Sequence, residues 1–356
     1  MNKQFIPIFL LLALCQWQAS QAQDIHFAHF YENATLRNPA LTGIFTGDYK
    51  AVVNYRTQWG NVAPAYQTML ASIENRSILN PENGDALSYG LTLTYDKAGS
   101  VNFSTLQVYP AVNYNKSLED SRGTFLSVGF AGGYIQRSLD PGRMTFDNQY
   151  IPGIGYVPGA PTGEPGITQS INLWDLAAGL SLNSSAGPDN RIAYYVGAGA
   201  YHLNRPKIAH GQNAAFVRLN TKWSGNLGLQ WRLSPNFFTT VHANYTRQNP
   251  YQEIIAGAML GWRNFDMNRL ESTFSLSAGA FYRWDDAIIP TLRVDYERYS
   301  LLFSYEGNLS KLQPALNNHG AGYEISLVFR GRHKKRPEQM NCPRFEGMLP
   351  GYSAME

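Results

Sequence analysis

Along most of this chain, apolar residues alternate with polar or very small ones. Leu87, Tyr89, Leu91, Leu93 and Tyr95 fall on one side of an extended segment, and Ser88, Gly90, Thr92, Thr94 and Asp96 on the other. A two-residue period is the signature of a β-strand with two unlike faces. It recurs about fourteen times between Asp48 and Arg330, in segments close to the ~9–11 residues that cross a bilayer at a tilt. The first segment carries Tyr49, Ala51, Val53 and Tyr55, the second runs near Tyr66 to Glu74, and the last is Tyr323 to Phe329. No segment after the first residues approaches the ~20 apolar residues a membrane helix needs.

The polar side of the strands narrows the class. A soluble sandwich shows Lys, Glu and Thr on its wet face. Here Gly129, Gly133, Gly179, Gly197, Gly199, Gly257 and Gly279 occupy many facing positions. Glycine weakens a strand and is used where the sheet bends or where something packs closely, as inside a barrel crowded by loops or a plug. Aromatics gather near the expected strand ends, for example Tyr55 with Trp59, Trp223 with Trp231, and Tyr282 with Trp284. Interfacial girdles have that distribution. The pattern therefore predicts an all-β protein, a transmembrane antiparallel barrel of about fourteen strands over residues 48–330.

The length of the connections gives a direction. An even strand count puts both barrel ends on one side, with short turns in the periplasm and long loops outside. The longest gaps, Ser138 to Leu173, Asn204 to Asn220 and Gly307 to Gly320, all follow odd-numbered strands. Turns such as Ser234-Pro235-Asn236 and Glu297-Arg298 follow even ones. The stretch Asn75 to Asp85 is too long for an inner turn and departs from the rule. The 138–173 loop, with Pro141, Pro152, Pro158, Pro161 and Pro165, is expected either to fold over the barrel mouth or to stand as a surface loop.

Residues 1–22 read as a secretory leader: Lys3, the apolar stretch Phe5 to Leu14, and the small-x-small exit Ser20-Gln21-Ala22. Leu14 before Cys15 disfavours a lipoprotein signal. Removing the leader leaves Cys342 as the sole thiol, so no internal disulfide is available. The net charge of +3 and the 15% of charged residues give no basis for nucleic-acid binding.

Candidate chemistry is sparse. His202 and His210 flank Arg205 and Lys207, and His26 and His29 lie close together, yet no cysteine or carboxylate completes a metal set. Asp285, Asp286, Asp295 and Glu297 read as solvated turn charges. No pattern joins a serine nucleophile to its base, and the glycines sit inside strands instead of forming a phosphate-cradling loop. No catalytic residue, cofactor or metal is expected. Pro39 restricts Asn38 to an extended conformation, so residues 23–47 form either a periplasmic lead-in to the first strand, or a plug or periplasmic contact. The basic run Arg332-His333-Lys334-Lys335-Arg336 opens a periplasmic tail, 331–356, suited to anionic headgroups or a protein partner, or simply to keeping the tail out of lipid.

Three segments resemble the PorP/SprF family of outer-membrane proteins. The first is Gln23-Asp24-Ile25-His26-Phe27, followed by Asn38-Pro39-Ala40-Leu41-Thr42-Gly43 and Asn54-Tyr55-Arg56-Thr57-Gln58-Trp59. The second is Tyr201-His202-Leu203-Asn204-Arg205-Pro206-Lys207, and the third Asn341-Cys342-Pro343-Arg344-Phe345. The likeness spans essentially the whole mature chain, although the 138–173 loop does not align and residues after Phe345 extend past the family's usual end.

The resemblance implies a non-enzymatic barrel of the type IX secretion system in the outer membrane, in some members tied to gliding. It implies help with export or surface attachment of a secreted cargo protein, and contact with secretion components in the periplasm. Expected partner-binding positions are Asn38, Pro39, Ala40 and Gly43 before the first strand, and Lys334, Lys335, Arg336, Cys342, Pro343, Arg344 and Phe345 in the tail. The competing reading is an outer-membrane channel or hydrophobic-substrate transporter; a channel would need a charged, water-wide lumen.

Overall fold

In a closed ring of strands every backbone amide finds a partner on a neighbouring strand, which is how a sheet survives in lipid. The computed structural model of this chain describes residues 25–58, 65–163, 168–208, 217–266, 271–309, 322–333 and 345. Fourteen of its strands form one closed antiparallel barrel. They are β1 (Tyr49–Gln58), β2 (Tyr66–Asn80), β3 (Asp85–Ala98), β4 (Phe103–Ser117), β5 (Phe125–Ser138), β6 (Ser170–Ala186) and β7 (Ile192–Tyr201). After them come β8 (Lys222–Arg232), β9 (Phe237–Gln248), β10 (Tyr251–Asp266), β11 (Glu271–Arg283), β12 (Ala287–Tyr296), β13 (Tyr299–Asn308) and β14 (Gly322–Gly331). Each pairs with its sequence neighbours, and β1 closes the ring on β14 in the register Tyr49↔Gly331 to Gln58↔Gly322.

The burial pattern is inverted relative to a soluble protein. Tyr89 is 48% exposed and its neighbour Ser88 0%. Ile73, Phe130, Leu180, Leu260, Leu301 and Leu327 face outward as well, while Thr94, Asn113, Ser127, Ser277, Ser304 and Ser326 are buried. Only a lipid solvent makes that arrangement favourable. Exposed aromatics mark both rims. Trp231, Phe237, Trp262, Tyr296 and Tyr299 lie toward the end where β1 begins, hereafter the near end, and Trp174, Trp223, Tyr245, Tyr282 and Trp284 toward the far end.

The long connections, 139–169, 202–221 and 309–321, all open at the far end. The long stretch after Asn75 is resolved by the strands themselves. β2 continues to Asn80 and β3 starts at Asp85, leaving a tight turn closed by Gly84 N donating to Asn80 O at 2.9 Å.

Two prolines interrupt the ladder. Pro110 in β4 falls in a gap between the pairs Val108↔Tyr134 and Ala111↔Ala131. Pro290 in β12 falls between Ile288↔Gly307 and Thr291↔Ser304. Proline has no N–H to offer the neighbouring strand, so the β4/β5 and β12/β13 seams each lose pairing in mid-strand.

Candidate functional site: the plugged lumen and its two ends

Residues 25–47 lie inside the barrel. Phe27, Ala28, Phe30, Tyr31, Ala34, Asn38, Ala40, Leu41, Thr42 and Phe45 are all buried. The segment makes three short helical turns, Phe30–Glu32, Ala34–Arg37 and Pro39–Leu41. It is a plug, and its descent along the wall is visible rung by rung. Arg56 donates to His26 O at 3.0 Å. Glu324, paired across the ladder with Arg56, accepts the backbone N–H of Ala28 at 2.6 Å and of His29 at 2.9 Å. Glu32 reaches the rung Lys50↔Arg330 near the base.

Glu32 is the plug's main latch. Its carboxylate accepts from Arg330 at 2.8 and 3.0 Å and from Arg293 at 2.9 Å, with Lys50 Nζ 3.9 Å away. Lys50 also pairs with Glu74 at 3.1 Å, and Glu74 accepts the Gly43 N–H at 2.8 Å. Toward the far end, Arg56 pairs with Glu306 at 2.8 Å, and Arg283 lies 3.4 Å from the same carboxylate. Buried charges of this kind persist only when paired and hydrogen-bonded. Between the two networks Tyr31 stacks on His242 at 4.5 Å and on Phe281 at 5.2 Å.

On the opposite wall the plug presses on glycine. A Cβ at Gly129 would collide with the Pro39–Ala40 peptide, and one at Gly179 with the Asn38 side chain. Asn38 is extended (φ −165°), accepts from Ala40 N at 2.9 Å and donates to Leu180 O at 3.0 Å. Asn113 donates to Ala40 O and Thr42 O at 2.9 and 2.8 Å, and Ser181 donates to Ala40 O at 2.9 Å. Arg76 donates to the carbonyls of Gly43, Phe45 and Gly47. Gly43 has φ +82° and sits against Ser88, leaving no room for a side chain.

The sequence-based partner positions divide as follows. Asn38, Pro39, Ala40 and Gly43 are buried in the lumen and engaged with the wall. Phe345 is buried at the near end, edge-on to Tyr195 at 4.6 Å, with its carbonyl accepting from Thr46 N at 3.1 Å. Lys334, Lys335, Arg336, Cys342, Pro343 and Arg344 lie outside the described residues.

The wall residues Lys50, Arg56, Arg293, Glu306, Glu324 and Arg330 were not singled out from sequence. The available signal was charge on inward-facing strand positions, on β1 and β12–β14 and also at Glu74 and Arg76 on β2 and Arg283 on β11. Asp295 differs from its reading as a turn charge: it faces the lumen, 2.9 Å from Arg293 Nε, and accepts from Ser275 at 2.7 Å. His202 stands 3.0 Å from Asp175, which also accepts from Tyr109. His210 lies outside the described residues. Among the described residues no cluster of three His, Cys, Asp or Glu suits a metal ion.

His29 Nδ1 is 2.6 Å from Ser326 Oγ, but His29, Ser326 and Glu324 are all 0% exposed, so no substrate reaches them. At the near end the lumen keeps a cavity of about 520 Å³ including its open mouth, lined by Gln230, Thr240, Met259, Arg263, Ser277 and Arg293 among others.

The 139–169 loop is organised around one side chain. Gln149 accepts from Phe146 N at 3.1 Å and donates to the carbonyls of Pro158 and Ala160 at 3.0 and 3.2 Å. This holds the short pair Tyr150–Ile151 and Gly155–Tyr156 as a hairpin that exposes Tyr150, Ile151, Ile154 and Tyr156.

A model of the family described as "Type IX secretion system membrane protein PorP/SprF" matches residues 19–329. The chain belongs to the PorP/SprF family. This PorP/SprF barrel is accordingly a non-enzymatic outer-membrane protein of the type IX secretion system.

Similar solved structures include a FadL homologue of Pseudomonas aeruginosa, at 10% identity and a TM-score of 0.49, covering 82% of this chain and 91% of that one. The CymD monoaromatic hydrocarbon channel gives 10% identity, a TM-score of 0.48 and coverage of 85% and 94%. The toluene transporter TbuX of Ralstonia pickettii gives 11%, 0.47, 84% and 93%. No curated protein matches the chain.

Proposed function

We propose that this PorP/SprF protein is a closed anchor that holds or hands on an exported surface protein at its far rim and meets periplasmic secretion components at its near end. The carrying observation is the plug. A conduit for solutes needs free lumen, whereas here Glu32, Arg293, Arg330 and Lys50 fasten a segment across it. The far rim supplies the contact surface, because long loops at the outer end are where such barrels engage other molecules. The Gln149-centred hairpin offers four apolar side chains there, and exposed apolar patches mark interaction sites. The near end offers the start of the tail at His333 and the turns between strands.

The test has two arms. Purified protein in planar bilayers should pass no steady current; a sustained current in the wild type would favour the channel reading. Replacing residues 150–156 with a Gly-Ser linker should release the surface cargo into the medium while barrel assembly is unchanged. Unaltered cargo retention would remove the far rim from the mechanism.

A further inference from the structure

Plug, wall and tail enclose a further cavity at the near end. It holds about 330 Å³ including its open mouth, with Arg37 and Phe45 of the plug, Lys50, Tyr195 and Arg330 of the wall, and Phe345 around it. Among the described residues three cations line this space and no carboxylate does. The carboxylates nearby do not make up the difference. Glu32 serves Arg330, Arg293 and Lys50, Glu74 serves Lys50, and Asp295 serves Arg293. Four cations, Arg37, Lys50, Arg293 and Arg330, thus share three carboxylates, and the surplus charge falls on Arg37.

Two donors on this cavity are also left over. Arg37 is 7% exposed; its Nη1 donates to the Tyr195 hydroxyl at 2.8 Å and its Nη2 to the Tyr31 carbonyl at 2.9 Å. The Phe30 and Tyr195 rings, each 5.7 Å from its Cζ, take the flat side of the guanidinium. Its Nε–H lies in the guanidinium plane, where a ring face cannot answer it, and is buried without an acceptor. Arg330, 4% exposed, repeats the pattern. Its Nη1 donates to Ser300 Oγ at 2.9 Å and its Nη2 to Glu32, while its Nε–H is buried without an acceptor. A buried charged donor left unmatched is costly, and both of these belong to residues on one cavity.

We infer that the cavity binds a small oxyanion such as inorganic phosphate, held by the Nε–H groups of Arg37 and Arg330 with Lys50 adding charge. An oxyanion carries several acceptors on one charged centre, so it answers both donors and cancels the surplus charge together. A neutral or apolar ligand does neither. A lipid phosphate shares the chemistry, but its acyl chains would have to follow it into the lumen past Phe345 and Phe45. The source is therefore a free anion in the water at the near mouth. Once bound, it links Arg37 of the plug to Arg330 of the last strand beside the Phe345 ring, so closure of the near end becomes anion-dependent. Neither the orientation of the barrel nor the handling of cargo enters this inference.

Calorimetric titration of the purified full-length barrel in detergent with inorganic phosphate, at ionic strength held constant with sodium chloride, tests it. The wild type should show saturable binding at one site. Arg37→Gln should weaken that binding roughly tenfold or more, while Arg191→Gln, which removes an exposed near-end cation away from the cavity, leaves it unchanged. No saturable binding, full binding in Arg37→Gln, or an equal loss in Arg191→Gln overturns the inference and leaves the Phe30 and Tyr195 rings as the sole compensation of Arg37. A short-chain phosphatidic acid should not displace the phosphate; if it does, the source is a lipid headgroup and the free-anion assignment falls. Should Arg37→Gln not assemble, wild-type crystals soaked in tungstate give the answer by anomalous scattering. The ion should lie within hydrogen-bond reach of both Nε atoms, and an ion found only elsewhere, or none, counts against the site.

Discussion

Arg330 on the last strand grips Glu32 of the plug through one nitrogen, Nη2, which donates to both carboxylate oxygens at 3.0 and 2.8 Å. Removing the carboxylate would leave Arg330 and Arg293 buried without it, an error that costs about 3–5 kcal/mol when one partner of a buried pair is deleted. Glu32→Ala should therefore loosen the plug without unmaking the ring, since neither residue's backbone pairing changes. Planar-bilayer recordings should show intermittent current absent from the wild type. Equal silence in both would mean that the plug does not depend on this latch.

The glycine wall makes a steric prediction. Gly129→Val places a branched side chain where the Pro39–Ala40 peptide lies. The barrel should still form, seen as a heat-modifiable band on gels, but residues 25–47 should become sensitive to trypsin at Arg37. A protected Arg37 in an assembled Gly129→Val barrel would contradict the packing described above.

Phe345 pins the tail from inside. Truncating a buried aromatic costs about 3–5 kcal/mol, and here the ring fills the space beside Tyr195 and His242. Phe345→Ala should accelerate tryptic removal of the tail at Lys334 to Arg336 while the strands stay resistant. A cleavage rate equal to that of the wild type would show that the tail is held by something else.

Gln149 is the one buried side chain among the loop residues Asp140 to Thr162, and four of its hydrogen bonds order a segment rich in proline and glycine. Gln149→Ala should raise amide exchange across residues 146–160 and lower cargo retention, with the barrel unaffected. Exchange confined to wild-type rates would exclude an organising role.

The strands were legible because each carries a two-residue period that lipid on one side and polar lumen on the other both reinforce. Leu87 to Tyr95 illustrates this, since every outward residue is apolar and every inward one small or polar. Strand ends were less legible. Arg76, Ser77 and Asn80 stand in β2 near its rim, where both faces can be polar and the alternation fades.

The plug was the least visible element. Residues 25–47 have no periodicity, and their burial depends on partners hundreds of positions away, such as Glu324 for His29. The glycines were its indirect trace: Gly129, Gly179, Gly197 and Gly199 line the place where Asn38 and Pro39 rest. The latch itself was written in the inward charges of β1 and β12–β14, whose meaning appears only when Glu32 is set between them.

The two mid-strand prolines give the cylinder an uneven mechanical strength. Pro110 and Pro290 remove rungs from the β4/β5 and β12/β13 seams, which stand nearly across the ring from one another. Pulled apart, the wall should tear along those two lines and come away as two panels, β5 to β12 and β13 to β4, and the second tear divides the grip on Glu32 between Arg293 on β12 and Arg330 on β14. Force spectroscopy on the embedded protein would show that as two early rupture events, both strengthened when the prolines are replaced by valine.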